Sequence, residues 1–227
     1  MILMRHQNQL SLWQSDTPPV PHALYLAAGS SAWTSDLALA QTLEKTIPAS
    51  LSEAIQDASK WHHLQQYGTV PDILHCWEVA HAVEQYVENP TLAQRIAAWH
   101  HDLFEDTDYP LDYHRHRYGE KTTQLVQACT GVGSNRRDRQ LAIHHQLLQQ
   151  PQAIDIKLAD RAINMRHSLH NARLWKMYQA ELPAWDELLA HSHSPKMVTF
   201  FQRSAQNAPE SNYGGAPSIS LPCPKNI

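Results

Sequence analysis

The stretch Trp99-His100-His101-Asp102-Leu103-Phe104-Glu105-Asp106-Thr107 sets a histidine and an aspartate side by side, with two more carboxylates a few positions on. Read as a helix, it puts His101 and Glu105 one turn apart on one face, with Asp102 and Asp106 on the adjoining strip. The helix expected to lead into it carries Leu92, Ile96, Trp99 and Leu103 on one apolar face and Ala98, with His101 and Glu105, on another. Such a helix is expected to be buried on two sides, in the middle of a bundle. Carboxylates this close repel one another unless a cation or a basic partner offsets them. The stretch therefore asks for a fold that brings it partners from elsewhere in the chain, and it is read as a metal site with acid/base groups beside it.

Helical spacing dominates the remainder. A first helix is expected from Ser35 towards Pro48, carrying Leu37, Leu39 and Leu43. A second, over about residues 50–66, spaces Leu51, Ile55, Ala58 and His62 at helical intervals and is broken by Gly68-Thr69-Val70-Pro71. A third, over about 73–88, aligns Ile73, Trp77, Ala80, Val83 and Val87 and leaves His75 off that stripe. Asn89-Pro90 reads as the cap and first residue of the helix that runs through His101. Beyond Tyr109-Pro110, helices are expected over about 111–118 and, after Gly119, on to Cys129. A glycine-containing loop at 131–135 leads into a helix that starts with Arg136, Arg137 and Arg139 and ends near Pro151. The segment 153–166 places Lys157, Asp160 and Asn164 on one face, and a last helix covers about 174–191. No run alternates apolar and polar residues over a useful length, so the fold class is all-α. The organisation expected is an N-terminal extension over 1–50, a helical domain over 51–195, and a proline-rich tail over 196–227 that is largely disordered.

Bulk properties exclude several classes. With 18 basic and 22 acidic residues the net charge is -4, which offers no basic footprint for nucleic acid. No stretch suits a signal peptide or a membrane span. Cys76, Cys129 and Cys223 are widely separated and odd in number, which supports neither a disulfide framework nor a zinc ribbon. A reducing, cytoplasmic setting is the expectation.

Three separate helices present polar groups that their apolar stripes do not explain: His75, His101 with Asp102, and Asp160. Two imidazoles and two carboxylates form a mixed nitrogen and oxygen set suited to Mn²⁺, Fe²⁺ or Zn²⁺. Their separation in the chain lets them meet only through tertiary packing. Of the other histidines, His100 reads as packing beside the ligand pair. His62, His63, His81, His144, His145, His167, His170, His191 and His193 read as surface residues.

The order His75, His101-Asp102, Asp160 resembles that of the HD-domain metal-dependent phosphohydrolases. More narrowly, the chain resembles the alarmone hydrolases, the hydrolase domain of the RelA/SpoT family and its small stand-alone relatives. Four segments carry the likeness: His75-Cys76-Trp77-Glu78-Val79-Ala80; residues 96–107, with His101-Asp102-Leu103-Phe104-Glu105-Asp106-Thr107; Tyr118-Gly119; and residues 156–166, with Lys157-Leu158-Ala159-Asp160-Arg161 and Asn164-Met165-Arg166. The likeness spans about Ser52 to His191. It implies an HD-type helical bundle with a metal site at its centre, His75, His101, Asp102 and Asp160 as ligands, and Mn²⁺ as the usual ion. It also implies Glu105 and Asp106 positioning and activating the attacking water, Lys157 and Asn164 lining the nucleotide side, and removal of the 3′-pyrophosphate of (p)ppGpp or a related alarmone.

The chain departs from the family's pattern just ahead of the first histidine. Where the family usually carries a basic pair before a glycine, this sequence has Gln65-Gln66-Tyr67-Gly68, and Cys76 stands where a proline usually follows the histidine. Lys60, Arg136, Arg137 and Arg139 are the candidates to replace part of the missing phosphate grip. The rival readings are an HD phosphohydrolase acting on another nucleotide, such as a nucleotidase or an NADPH phosphatase, and a non-catalytic nucleotide-sensing domain.

Overall fold

A computed structural model describes residues 49–67 and 70–206 of the chain. The helix expected over 35–48, the rest of the N-terminal extension and the tail from 207 onward lie outside the described residues.

Helix α1, Ala49–Trp61, buries Leu51, Ala54, Ile55 and Ala58 and turns Glu53, Gln56 and Lys60 outward, the 3.6-residue spacing that its sequence shows. A tight antiparallel pair follows, β1 (Gln66–Tyr67) and β2 (Val70–Pro71). It is the one departure from an all-helical architecture among the described residues. Pro71 precedes α2 (Asp72–Tyr86), whose first turn carries Asp72 at the positive end of the helix dipole.

Helix α3 covers Leu92–Trp99. Its start is fixed by a capping box in which Thr91 and Gln94 satisfy each other's backbone N–H groups. Asn89 and Pro90 thus stand ahead of the cap, with Asn89 in the left-handed region at φ 53°. The expected continuous helix through His101 and Glu105 is not formed. The chain leaves α3 at Trp99, turns through His100-His101-Asp102, and re-enters a single turn, α4 (Leu103–Asp106). His100 and Asp102 hold φ/ψ near -107°/7° and -103°/1°, the bridge region that turns and active-site residues favour. Tertiary partners of His100, described below, override the local helical preference.

Helix α5, Leu111–Cys129, is split at Gly119, where φ 83° and ψ 163° suit a residue without a Cβ. The expected border between two helices therefore falls at that glycine. Asn135 caps α6 (Arg136–Gln149) by accepting from the Asp138 N–H at 3.0 Å. Helix α7, Pro151–His167, opens on a proline at its first turn and is buried on nearly every side. It packs against α2, α3, α5 and α6, so the segment read as two-faced is the hub of the bundle.

The single helix expected over 174–191 is three pieces: α8 (Ala172–Glu181), a 3-10 turn (Leu182–Trp185) around Pro183, and α9 (Asp186–His191). Pro183 has no N–H to give the helical ladder, which accounts for the interruption. A further helix, α10 (Pro195–Gln206), occupies the start of the segment expected to be disordered. Met197, Phe200, Phe201 and Ser204 lie at three- and four-residue steps and are buried, laying α10 along α7.

Candidate metal centre

His75 projects from the first turn of α2, His101 and Asp102 from the turn between α3 and α4, and Asp160 from the middle of α7. The turn is held by His100. Its Nε2 lies 2.8 Å from the Ala54 carbonyl of α1 and its Nδ1 3.0 Å from His114 Nε2 of α5. A neutral imidazole that donates at one nitrogen and accepts at the other satisfies both contacts. Burial keeps His100 neutral, drawing it down to about 4. His100 is packing, as its position beside the ligand pair suggests, and that packing swings His101 inward.

His101 Nδ1 donates to the Ala98 carbonyl at 3.0 Å, which directs the other nitrogen into the centre. There His101 Nε2 meets His75 Nε2 at 3.3 Å, Asp102 Oδ2 at 3.0 Å and Asp160 Oδ1 at 3.8 Å. His75 Nε2 is 3.1 Å from Asp160 Oδ1 and 3.8 Å from Asp102 Oδ2. Donors bound at roughly 2.0–2.2 Å to one tetrahedral or octahedral ion sit roughly 3–3.6 Å apart. Two imidazole nitrogens face to face share at most one proton, so a cation suits them better. Although burial disfavours the imidazolium, Asp102 and Asp160 hold His101 up at about 9, the charge balance of a pocket built for a positive occupant. The four residues thus fit a divalent metal in number, chemistry and spacing.

Lys157 lies one turn before Asp160 on α7 and is only 7% exposed. Its Nζ is 2.8 Å from Asp160 Oδ2 and 3.7 Å from Asp102 Oδ1. Lys157 therefore takes the outer oxygen of each carboxylate and leaves the inner one to the histidines. Burial disfavours its charge, yet Asp160 and Asp102 keep it protonated above the ordinary lysine value. Asn164 Nδ2 donates to Asp160 Oδ1 at 2.5 Å. Both residues thus touch the ligand carboxylates of the centre.

Glu105 and Asp106 stand beside the centre on α4. Glu105 Oε2 accepts from the Gly131 N–H at 3.0 Å, tying α4 to the loop ahead of α6. Partial burial, together with the charges of Asp102, Asp72 and Glu105, pushes Asp106 up to about 7. Of the three arginines, Arg136 is engaged in a bidentate pair with Glu181, at 2.6 and 3.0 Å. Arg161 shares that carboxylate at 2.8 Å and lies over Tyr178 and Trp185. Arg137 is exposed and Arg139 half-buried.

His62 is where the sequence reading fails. It was placed at the surface, but it is 1% exposed, with Nδ1 2.7 Å from Asp72 Oδ2. The signal was present, since His62 continues the Leu51, Ile55, Ala58 stripe. His114 was not singled out, and Glu181 and Arg161 were assigned no role.

No protein-family profile matches the chain. It is 28% identical over 144 residues to the guanosine-3′,5′-bis(diphosphate) 3′-pyrophosphohydrolase of Aquifex aeolicus (strain VF5), covering 58% of this chain and 20% of that protein. The chain therefore spans about one fifth of the length of that relative. Its structure matches a metazoan ortholog of SpoT that hydrolyses ppGpp, with a TM-score of 0.61, 20% identity, and coverage of 70% of this chain and 96% of that one. The fold is that of this SpoT ortholog. The SpoT-like bundle agrees with the resemblance carried by the four sequence segments, and it places their histidines and aspartates in one centre.

Proposed function

We propose that the chain is a divalent-metal-dependent phosphohydrolase that removes the 3′-pyrophosphate of (p)ppGpp or a closely related alarmone. One observation carries this reading: His75, His101, Asp102 and Asp160 converge at 3.0–3.8 Å from three parts of the bundle, with Glu105 and Asp106 alongside. The names of the Aquifex relative and of the SpoT ortholog support the choice of substrate. Mn²⁺ is the ion expected, and Fe²⁺ and Zn²⁺ suit the same donors. Cytoplasmic residence goes with a nucleotide substrate and with the free, buried Cys76 and Cys129. No helix among the described residues is long and apolar enough to cross a membrane.

When bound, the ion supplies Lewis acidity towards a phosphoryl oxygen and lowers the pKa of water. The protein's own groups do the rest. The His101 tautomer orients His101, and the Lys157 bridge orients Asp102 and Asp160. Asp106, whose proton affinity is raised by burial and by the neighbouring carboxylates, is the group placed to accept a proton from attacking water. Glu105, fixed by the Gly131 N–H, holds the adjoining wall. Asn164 is assigned to the nucleotide side, and Lys60, Arg137 and Arg139 are the candidate cations to meet phosphate.

A turnover assay of metal-loaded protein against ppGpp, pppGpp, pppApp, NADPH and deoxynucleotides tests the proposal. Release of pyrophosphate from ppGpp, lost in His101→Ala, is the expected result. Hydrolysis of NADPH or a deoxynucleotide in its place transfers the site to the other-nucleotide reading, and binding without turnover to the sensing one.

A further inference from the structure

Next to the four-ligand centre lies a second set of donors. Asp72 and Cys76 are one turn apart on the same face of α2. His62, which follows the end of α1, meets them there. All three side chains are buried, and one donor atom from each lies within 4.8 Å of the others. His62 Nδ1 faces Asp72 Oδ2 at 2.7 Å and Gln65 Oε1 at 2.5 Å. His62 Nε2, also buried, has no hydrogen-bond partner, and Asp72 Oδ2 has none beyond its contact with His62.

A simple ion pair explains this arrangement poorly. The single Nδ1 position of His62 faces two acceptors, Asp72 Oδ2 and Gln65 Oε1, and one N–H cannot serve both well. Cys76 adds a soft sulfur donor at a position where ordinary packing needs only an apolar group. We propose that His62, Asp72 and Cys76, with the Gln65 side-chain carbonyl as a fourth donor, form a second divalent-metal site beside the first. Nitrogen, oxygen and sulfur together favour Zn²⁺ or Fe²⁺ over the harder Mn²⁺ and Mg²⁺.

The site lies where chain positions 65 and 66 are glutamines, so a second ion there brings positive charge to a stretch that carries no basic side chain at those two positions. Asp72, Asp102 and Asp106 all act electrostatically on this neighbourhood, and a cation offsets their mutual repulsion. That role towards a phosphorylated substrate rests on the proposed function. The existence of the site does not.

Cobalt titration of metal-stripped full-length protein reads the site without any assay of turnover. Two equivalents of Co²⁺ per chain are expected, with a sulfur-to-cobalt charge-transfer absorption. In Cys76→Ser and His62→Asn the expected result is one equivalent and no such absorption. In Asp160→Asn it is one equivalent with the absorption retained. Circular dichroism checks that each variant is folded, and the parent titration decides even where one variant is not. A single equivalent in the parent, or a sulfur band that survives Cys76→Ser, overturns the proposal. Failure to hydrolyse ppGpp leaves this count unchanged, so the two readings fail separately.

Discussion

Individual side chains here do two jobs that substitution can separate. Glu105 is both a neighbour of the centre and a clasp on the loop at Gly131. Its replacement by glutamine keeps an oxygen to accept the Gly131 N–H but removes the charge. Glu105→Gln is therefore expected to retain metal and melting temperature while turnover falls roughly 10²- to 10⁴-fold, the scale of a lost acid/base group. Elemental analysis and steady-state kinetics on the same sample check this, and parent-like turnover would reduce Glu105 to its clasp. His114 makes a different point. Burial, and then the neighbouring His100, lower it to about 3, while in the unfolded chain it titrates near the ordinary histidine value of about 6.5. The unfolded state therefore binds the proton more readily below pH 6.5. The stability this group contributes is complete above that pH and is lost as pH falls towards 3, at about 1.4 kcal/mol per pH unit. The difference in stability between the parent and His114→Gln, followed by denaturant unfolding from pH 7.5 down to 4.5, should show that slope, and a difference that does not change with pH would detach it from His114.

At the scale of elements, the arginine-bearing start of α6 divides into two kinds of residue. Arg136 closes on Glu181 and shares it with Arg161, so it fastens α6 to α8 and α7. Removing it leaves a partly buried carboxylate with one partner fewer, and Arg136→Ala should cost about 1–3 kcal/mol of stability, read as a lower melting temperature. Arg137→Ala and Arg139→Ala should instead raise KM for ppGpp more than they lower kcat, the mark of lost uniform binding. Parent-like KM in both would end their candidacy as a phosphate clamp. The elements also show how far sequence reaches. Helices α2, α5 and α7 follow their apolar spacing, and the break at Gly119 follows from a residue that tolerates positive φ. The α3–α4 turn was hidden because its cause is the tertiary grip of His100 on Ala54 and His114, which local propensity does not encode. The clustering of His75, His101, Asp102 and Asp160 was legible, since polar residues off an apolar stripe need another reason to be there. The burial of His62 was legible too from its place on the Leu51, Ile55, Ala58 stripe, although the Asp72 contact that makes burial of an imidazole tolerable comes from another helix. Helix α10 was overlooked although Met197, Phe200 and Phe201 show helical spacing, because the proline-rich composition that follows dominated the reading of that segment.

Taken as a whole, the bundle is arranged around α7, and the centre joins α7 to α2 and to the α3–α4 turn. An ion bound there is held by the folded chain alone. Occupancy at a hundredfold excess over Kd should add about 2.7 kcal/mol, so stripping the protein with a chelator should lower its melting temperature, and adding back Mn²⁺ should restore it. An unchanged melting temperature would detach the four residues from any shared ion. The contact between His75 and Asp160 spans 85 residues of chain. During synthesis His75, His101 and Asp102 leave the ribosome well before Asp160. A nascent chain then holds three donors and no fourth until α7 has been made and docked. For one ion held by all four residues, as proposed above, tight retention would come late in the birth of the molecule, and occupancy would mark chains whose assembly is complete.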